Sequence, residues 1–82
     1  MKLILYGKDN CSLCDQAMVI LELLQQDYSF EFDTINIYND EELLEKYHLM
    51  IPVITYRDTI IDKGLVDMET IENYLKSKNP RK

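Results

Sequence analysis

Apolar positions along the chain switch between two spacings. One is compact or alternating and suits strands; the other recurs every three to four residues and suits helices. Leu3-Ile4-Leu5-Tyr6 is short, apolar and stopped by Gly7, so Lys2 to Tyr6 reads as a buried strand. From about Ser12 to Gln26 the spacing changes. Leu13, Ala17, Ile20, Leu21 and Leu24 mark the inner face of a helix, with Asp15, Gln16, Glu22, Gln25 and Gln26 left for water. Val19 and Leu23 widen the apolar surface, which predicts close packing on a sheet, and Asp27-Tyr28-Ser29 ends the helix.

Phe30 to Tyr38 predicts a second strand, its alternation interrupted at Asp33-Thr34 by a bulge or a frayed start of pairing. Asn39-Asp40-Glu41-Glu42 suits a helix opening, since Asn or Asp caps and acids favour the N-terminal end of the dipole. Leu43, Leu44 and Tyr47 give this helix of two or three turns its inner face, and His48 ends it. Met50-Ile51-Pro52 stops any helix before Val53-Ile54-Thr55-Tyr56, a third strand. Arg57-Asp58 separates that strand from Thr59-Ile60-Ile61-Asp62, which predicts a hairpin with a glycine-free turn. Lys63-Gly64 closes it, and Asp67 caps a last helix carrying Met68, Ile71, Tyr74 and Leu75, stopped by Asn79-Pro80.

The order β-α-β-α-β-β-α predicts an α/β domain with a four-stranded mixed sheet. The first two strands should be parallel with a right-handed crossover, and the last two antiparallel. Helices on both faces make three layers. The 82 residues, 46% of them hydrophobic, suit a single domain spanning 1–82 with one core. A flexible tail is expected from about residue 78. Neither repeats nor linkers interrupt the pattern.

Net charge is −6, from fifteen acids against nine bases. That balance excludes a nucleic-acid binder, which needs a basic face for phosphates. Lys76, Lys78, Arg81 and Lys82 form a local exception at the C-terminal end, read as a solvated complement to the helix dipole or as a handle for an acidic partner. The leading apolar run is too short for a signal peptide, and none approaches membrane-spanning length. Two cysteines are too few for a secreted disulfide framework. A soluble, monomeric cytoplasmic protein is the expectation, in a compartment that keeps thiols reduced and disfavours a persistent structural disulfide.

Both cysteines fall at the junction between the first strand and the first helix, as Cys11-Ser12-Leu13-Cys14. In exchange chemistry the thiolate is the nucleophile. A sulfur at a helix start faces unpaired N–H groups and the positive end of the dipole. Cys11 is therefore the candidate attacking thiol, stabilised as thiolate by the helix and by Lys8, with exposed Asp9 and Asp15 opposing weakly through solvent. Cys14, nearly one turn on, is the candidate resolving thiol. Inert packing is the alternative. A zinc site would need four ligands, and His48, the one remaining soft candidate, suits a helix end. No metal or cofactor is expected.

Tyr6 to Cys14, with Lys8 three residues before the first cysteine, resembles the active-site approach of glutaredoxins, and the resemblance to this branch of the thioredoxin fold spans nearly the whole chain. It implies a cis peptide at Ile51-Pro52 facing the dithiol, with the Ile51 backbone offered to a cysteine-containing substrate as an added strand is. Ser12 and Leu13 stand where dithiol glutaredoxins carry Pro-Tyr. Lys63-Gly64-Leu65-Val66-Asp67 stands where glutathione-binding members carry Gly-Gly-x-Ser/Asp-Asp, so Gly64 and Asp67 are the retained positions. Lys8 and Lys63 are the cations available to glutathione's carboxylates.

The leading expectation is a thiol-disulfide oxidoreductase acting on a disulfide-containing protein or a low-molecular-weight thiol, reduced in turn by glutathione or by a reductase. A glutathione-dependent glutaredoxin proper, with glutathione as co-substrate, is a second enzyme reading. A non-catalytic thioredoxin-fold module that binds a partner or senses redox state is the third.

Overall fold

The apolar runs pair into one mixed sheet, which the computed structural model describes along with its helices over residues 1–78. In chain order the elements are β1 (Lys2–Gly7), α1 (Ser12–Leu24), β2 (Glu31–Asn36), a 3-10 turn (Ile37–Asn39), α2 (Glu41–Tyr47), β3 (Val53–Tyr56), β4 (Thr59–Lys63) and α3 (Met68–Lys78). The strands lie in the order β2-β1-β3-β4. β1 is parallel to β2 and antiparallel to β3, and β3 and β4 form the hairpin. The expected stop at Asn79-Pro80, the tail beyond Lys78, and Arg81 and Lys82 of the basic cluster lie outside the described residues.

Burial alternates along β1: Leu3 and Leu5 are sealed on one face, while Ile4 and Tyr6 are half-buried. A strand paired on both sides still has two faces, and α1 with α3 covers one of them. There Ala17, Leu21 and Leu24 meet Leu3, Leu5, Ile54, Ile71 and Leu75 in the larger core. The smaller core, Ile37, Tyr47 and Val53, packs with Tyr6, Leu43 and Leu44 under α2. Tyr6 and Tyr47 stack there with ring centroids 4.8 Å apart. Tyr28, 2% exposed, fixes the end of α1 to α3 by donating its hydroxyl to Glu72 at 2.9 Å.

Four expectations change. Leu13, placed on the inner face of the first helix, is exposed, and Cys14 takes the buried position. The buried stripe runs Cys14, Ala17, Leu21, Leu24, with Leu13 on its flank in the first turn. Val19 and Leu23, expected to extend the packing, face water at 53% and 46% exposure. At 100° per residue they point away from the Ala17–Leu21 line.

No bulge marks Asp33-Thr34, for the β1–β2 register runs unbroken from Lys2↔Glu31 to Gly7↔Asn36. The polar pair reflects the exposed edge of the sheet, where Asp33 meets Lys2 at 2.9 Å. That contact, first through its hydrogen bond and then through charge, raises the Lys2 pKa above its ordinary value. The irregularity lies instead between Ile54 and Thr55 in the β3–β4 register. The second strand also ends early, at Asn36, whose side chain accepts from the Tyr38 N–H and turns the backbone into the 3-10 segment.

The remaining local signals act as their chemistry requires. Asp40 caps α2 by accepting from the Glu42 and Leu43 N–H groups. Arg57 supplies the hairpin's left-handed residue, φ 55, and its guanidinium lies 5.1 Å from the Tyr56 ring centroid. Thr55 is buried with its Oγ1 unpartnered among the described residues. Leaving a hydroxyl unpaired in a core costs about 1–3 kcal/mol. Thr55→Val is therefore expected to hold or raise the urea midpoint; a loss above about 1 kcal/mol would show a partner for that hydroxyl.

Candidate functional site

A strand must end, turn and enter a helix within a few residues at this site, and each step uses a particular side chain. β1 stops at Gly7, Asn10 takes a left-handed φ of 54, which asparagine tolerates better than most residues, and Cys11 becomes the N-cap of α1 in extended backbone. Capping normally falls to an oxygen; here the acceptor is the Cys11 Sγ, which receives the Cys14 N–H at 3.2 Å. The Asp15 N–H bonds to the Cys11 carbonyl at 3.0 Å. An N–H aimed at the sulfur and the N-terminal end of a 13-residue helix both favour negative charge on Cys11.

Cys11 and Cys14 are joined as a disulfide, Cα atoms 5.2 Å apart. Where the sequence predicts free thiols, the structure pairs the two sulfurs. Cys11 is half-buried, and Cys14 is 7% exposed. Gly7 explains how Cys14 fits so deep: a Cβ at that position would stand 3.0 Å from the Cys14 Sγ and 3.3 Å from its Cβ. In the sequence Gly7 reads as the stop of a strand and as part of the approach to the cysteines; the room it makes for Cys14 does not show there, because that neighbour comes from the next element.

The register brings the second half of the site alongside. Tyr6 pairs with Val53, so Gly7, the last residue of β1, and Pro52, just before β3, lie at the same end of the sheet. The Ile51–Pro52 peptide is cis, as the resemblance implied; Pro52 is buried and Ile51 half-buried before β3 begins. Gly64, at φ 70, donates its N–H to the carbonyls of Pro52 at 2.8 Å and Met50 at 3.2 Å. Cys11, Cys14, Ile51, Pro52 and Gly64 thus share one end of the sheet.

The other expected residues occupy different places. Lys8 is exposed and lines a cleft of about 250 Å³ on the β2 side, together with Asp9, Asn10, Cys14, Asp15 and Asn36. Ser12 and Leu13 are exposed in the first turn of α1. Asp67 serves α3, accepting from the Thr70 N–H at 3.2 Å and the Thr70 hydroxyl at 3.0 Å. Asp62, which no sequence signal singled out, organises the loop before it. Its carboxylate accepts the Lys63 N–H at 2.8 Å and the Asp67 N–H at 2.9 Å. His48 stands exposed at the end of α2 with its Nδ1 3.0 Å from the Leu44 carbonyl. Among the described residues, no group of three or more His, Cys, Asp and Glu side chains is placed to hold a metal, and no helix is long and apolar enough to cross a membrane.

Comparison with known proteins gives the same outline. A family model described as a glutaredoxin-like domain (DUF836) matches residues 2–76. The solution structure of protein Ne2328 from Nitrosomonas europaea is similar at 33% identity and a TM-score of 0.80, over 90% of this chain and 89% of that one. The X-ray structure of target protein XcR50 from X. campestris is similar at 28% identity and a TM-score of 0.74, over 92% and 96%. Thioredoxin 1 from Thermosipho africanus, at 20% identity and a TM-score of 0.56 over 96% and 99%, shares the fold. No curated protein matches the chain.

Proposed function

Because the chain belongs to the glutaredoxin-like domain family, we propose that it is a thiol-disulfide oxidoreductase in which Cys11 attacks and Cys14 resolves. The observation that carries this reading is the asymmetry of the pair. The more exposed sulfur caps a helix and accepts an N–H from its first turn, while its partner is buried against Gly7 within bonding reach. An accessible thiolate and a sheltered second thiol are what sequential exchange needs: the first forms a mixed disulfide, the second releases it.

In this reading Pro52 and Ile51 border the approach to Cys11, and Ile51 offers its backbone to the incoming chain. Lys8 adds a positive charge on the opposite flank. Ser12 and Leu13 form the exposed surface between the cysteines. Gly64 holds the cis-proline loop in place, and Asp67 fixes the helix behind it. The protein works as a monomer in a reducing, cytoplasmic setting, with a thiol reductant or a reductase restoring the dithiol. It carries no metal or cofactor of its own.

Trapping tests this directly. Cys14→Ser, incubated reduced in cell extract, is expected to accumulate mixed disulfides through Cys11 that dissolve with dithiothreitol and are absent from the double variant Cys11→Ser/Cys14→Ser. Capture of neither protein nor glutathione above that background would favour a binding module over a redox carrier.

A further inference from the structure

β4 carries one residue more than the stretch of β3 it faces. Tyr56 pairs with Thr59 and Thr55 with Ile60, but Ile54 pairs with Asp62, so the register passes over Ile61. An extra residue of this kind bends a strand and re-aims the side chains beside it. Residues directly opposite in an antiparallel pair share a face. Asp62 therefore lies on the face of Ile54, the side that α1 and α3 cover, and Ile61 packs against the same core. Asp62 is half-buried there, within reach of the residues that lead into α3.

Both oxygens of its carboxylate are in use. Oδ1 accepts the Lys63 N–H at 2.8 Å and Oδ2 the Asp67 N–H at 2.9 Å, so one side chain ties the two ends of the loop 63–67. Inside that loop Gly64, at φ 70, donates its N–H to the Pro52 carbonyl at 2.8 Å and the Met50 carbonyl at 3.2 Å. Glycine has the freest backbone of any residue, and packing does not hold this one: a Cβ at Gly64 would meet nothing within 4 Å. Leu65 beyond it is 75% exposed, and Val66 is only partly buried against the core. What fixes Gly64 is the Lys63–Val53 pairing on one side and the Asp62 clamp around it.

Resting on the oxidoreductase reading above, we infer that Asp62 is a positioning residue for the reaction: by clamping the loop around Gly64 it holds the segment 50–52 where an incoming chain meets the Ile51 backbone. The path has two links in series, the carboxylate to the loop and the Gly64 N–H to the Met50 and Pro52 carbonyls. Neither link runs to a sulfur. Cys11 takes its N–H from Cys14 in the first turn of α1, so loss of the clamp leaves the nucleophile as it was. The effect falls on how a substrate with a peptide backbone is held. A carboxylate that served only to stabilise the start of α3 would, on removal, affect every substrate alike.

The experiment measures kcat and KM of the full chain on two disulfides: a dimer of a capped alanine peptide linked through its cysteine, and bis(2-hydroxyethyl) disulfide, which has no backbone to pair. Asp62→Ala is expected to raise KM for the peptide dimer about three- to tenfold, the scale of one or two lost hydrogen bonds, with kcat within about twofold. Turnover of the small disulfide and the alkylation rate of Cys11 should match the parent. An amide offers one acceptor oxygen where a carboxylate offers two, so Asp62→Asn should fall between, and it carries the test if Asp62→Ala does not fold. Asp58→Ala, which removes the same charge from the hairpin turn at the other end of β4, should behave as the parent. Amide exchange at Gly64 should quicken by about tenfold in Asp62→Ala. Unchanged exchange, an equal loss on both disulfides, no change in KM for the peptide, or the same change with Asp58→Ala would overturn the inference and leave the oxidoreductase reading standing. A parent chain that turns over neither disulfide would remove that reading, and this inference with it.

Discussion

Cys11→Ser is expected to lower disulfide reduction by on the order of a thousandfold or more, the scale seen when an attacking nucleophile is lost. A serine hydroxyl keeps its proton at neutral pH, and neither the helix N-terminus nor the Cys14 N–H that now meets the sulfur can draw it off. The same replacement should not unfold the chain. Cys11 is the N-cap of α1, and serine is among the better residues for that position. The two effects separate cleanly: turnover of bis(2-hydroxyethyl) disulfide collapses, while helix content of the reduced protein and its urea midpoint stay level or improve. A residual rate within tenfold of the parent would show that Cys11 is not the attacking group.

Leu21→Ala is expected to cost about 2–5 kcal/mol, the range for emptying a leucine site in a close-packed core. Leu21 is 0% exposed and touches both the central strands and α3 through its cluster. A chain of 82 residues has about 4–12 kcal/mol of total stability at typical values per residue, so one substitution removes a large share. The urea midpoint should fall by about 1 M or more. Leu23→Ala, two positions along the same helix but 46% exposed, should change stability by no more than about 0.5 kcal/mol. A comparable loss at both positions would mean that Leu23 is covered in solution.

Much of this protein is legible in the order of its residues. Strand and helix identities follow from spacing, because a side chain's face is set by 2.0- and 3.6-residue periods that any reader can count. The Asp40 and Asp67 caps, the stop at Gly7 and the hairpin at Arg57-Asp58 likewise depend on groups a few bonds away. The cysteine pair is legible for the same reason. Cys11 and Cys14 are neighbours in sequence before they are neighbours in space, and their place at a strand-to-helix turn needs only local reading.

What escaped the sequence involves partners distant along the chain. Leu13, Val19 and Leu23 have the residue type of a core, yet their exposure depends on where the sheet lies beneath α1, which spacing within one helix cannot supply. The unbroken register at Asp33-Thr34 and the irregularity at Ile54/Thr55 are properties of pairs of strands. Asp67 kept its place in a motif but spends its carboxylate on Thr70, and Asp62 had no motif at all.

The dithiol was therefore written in four consecutive residues, since its sulfurs meet across one helical turn whatever surrounds them. Its setting was not. Gly7 making room for Cys14, Pro52 bound through its carbonyl to Gly64, and the Asp62 carboxylate filling the loop beyond Gly64 all arise where separate elements converge. Such contacts exist only once the sheet has closed, because the groups that make them are held together by packing and not by the chain between them.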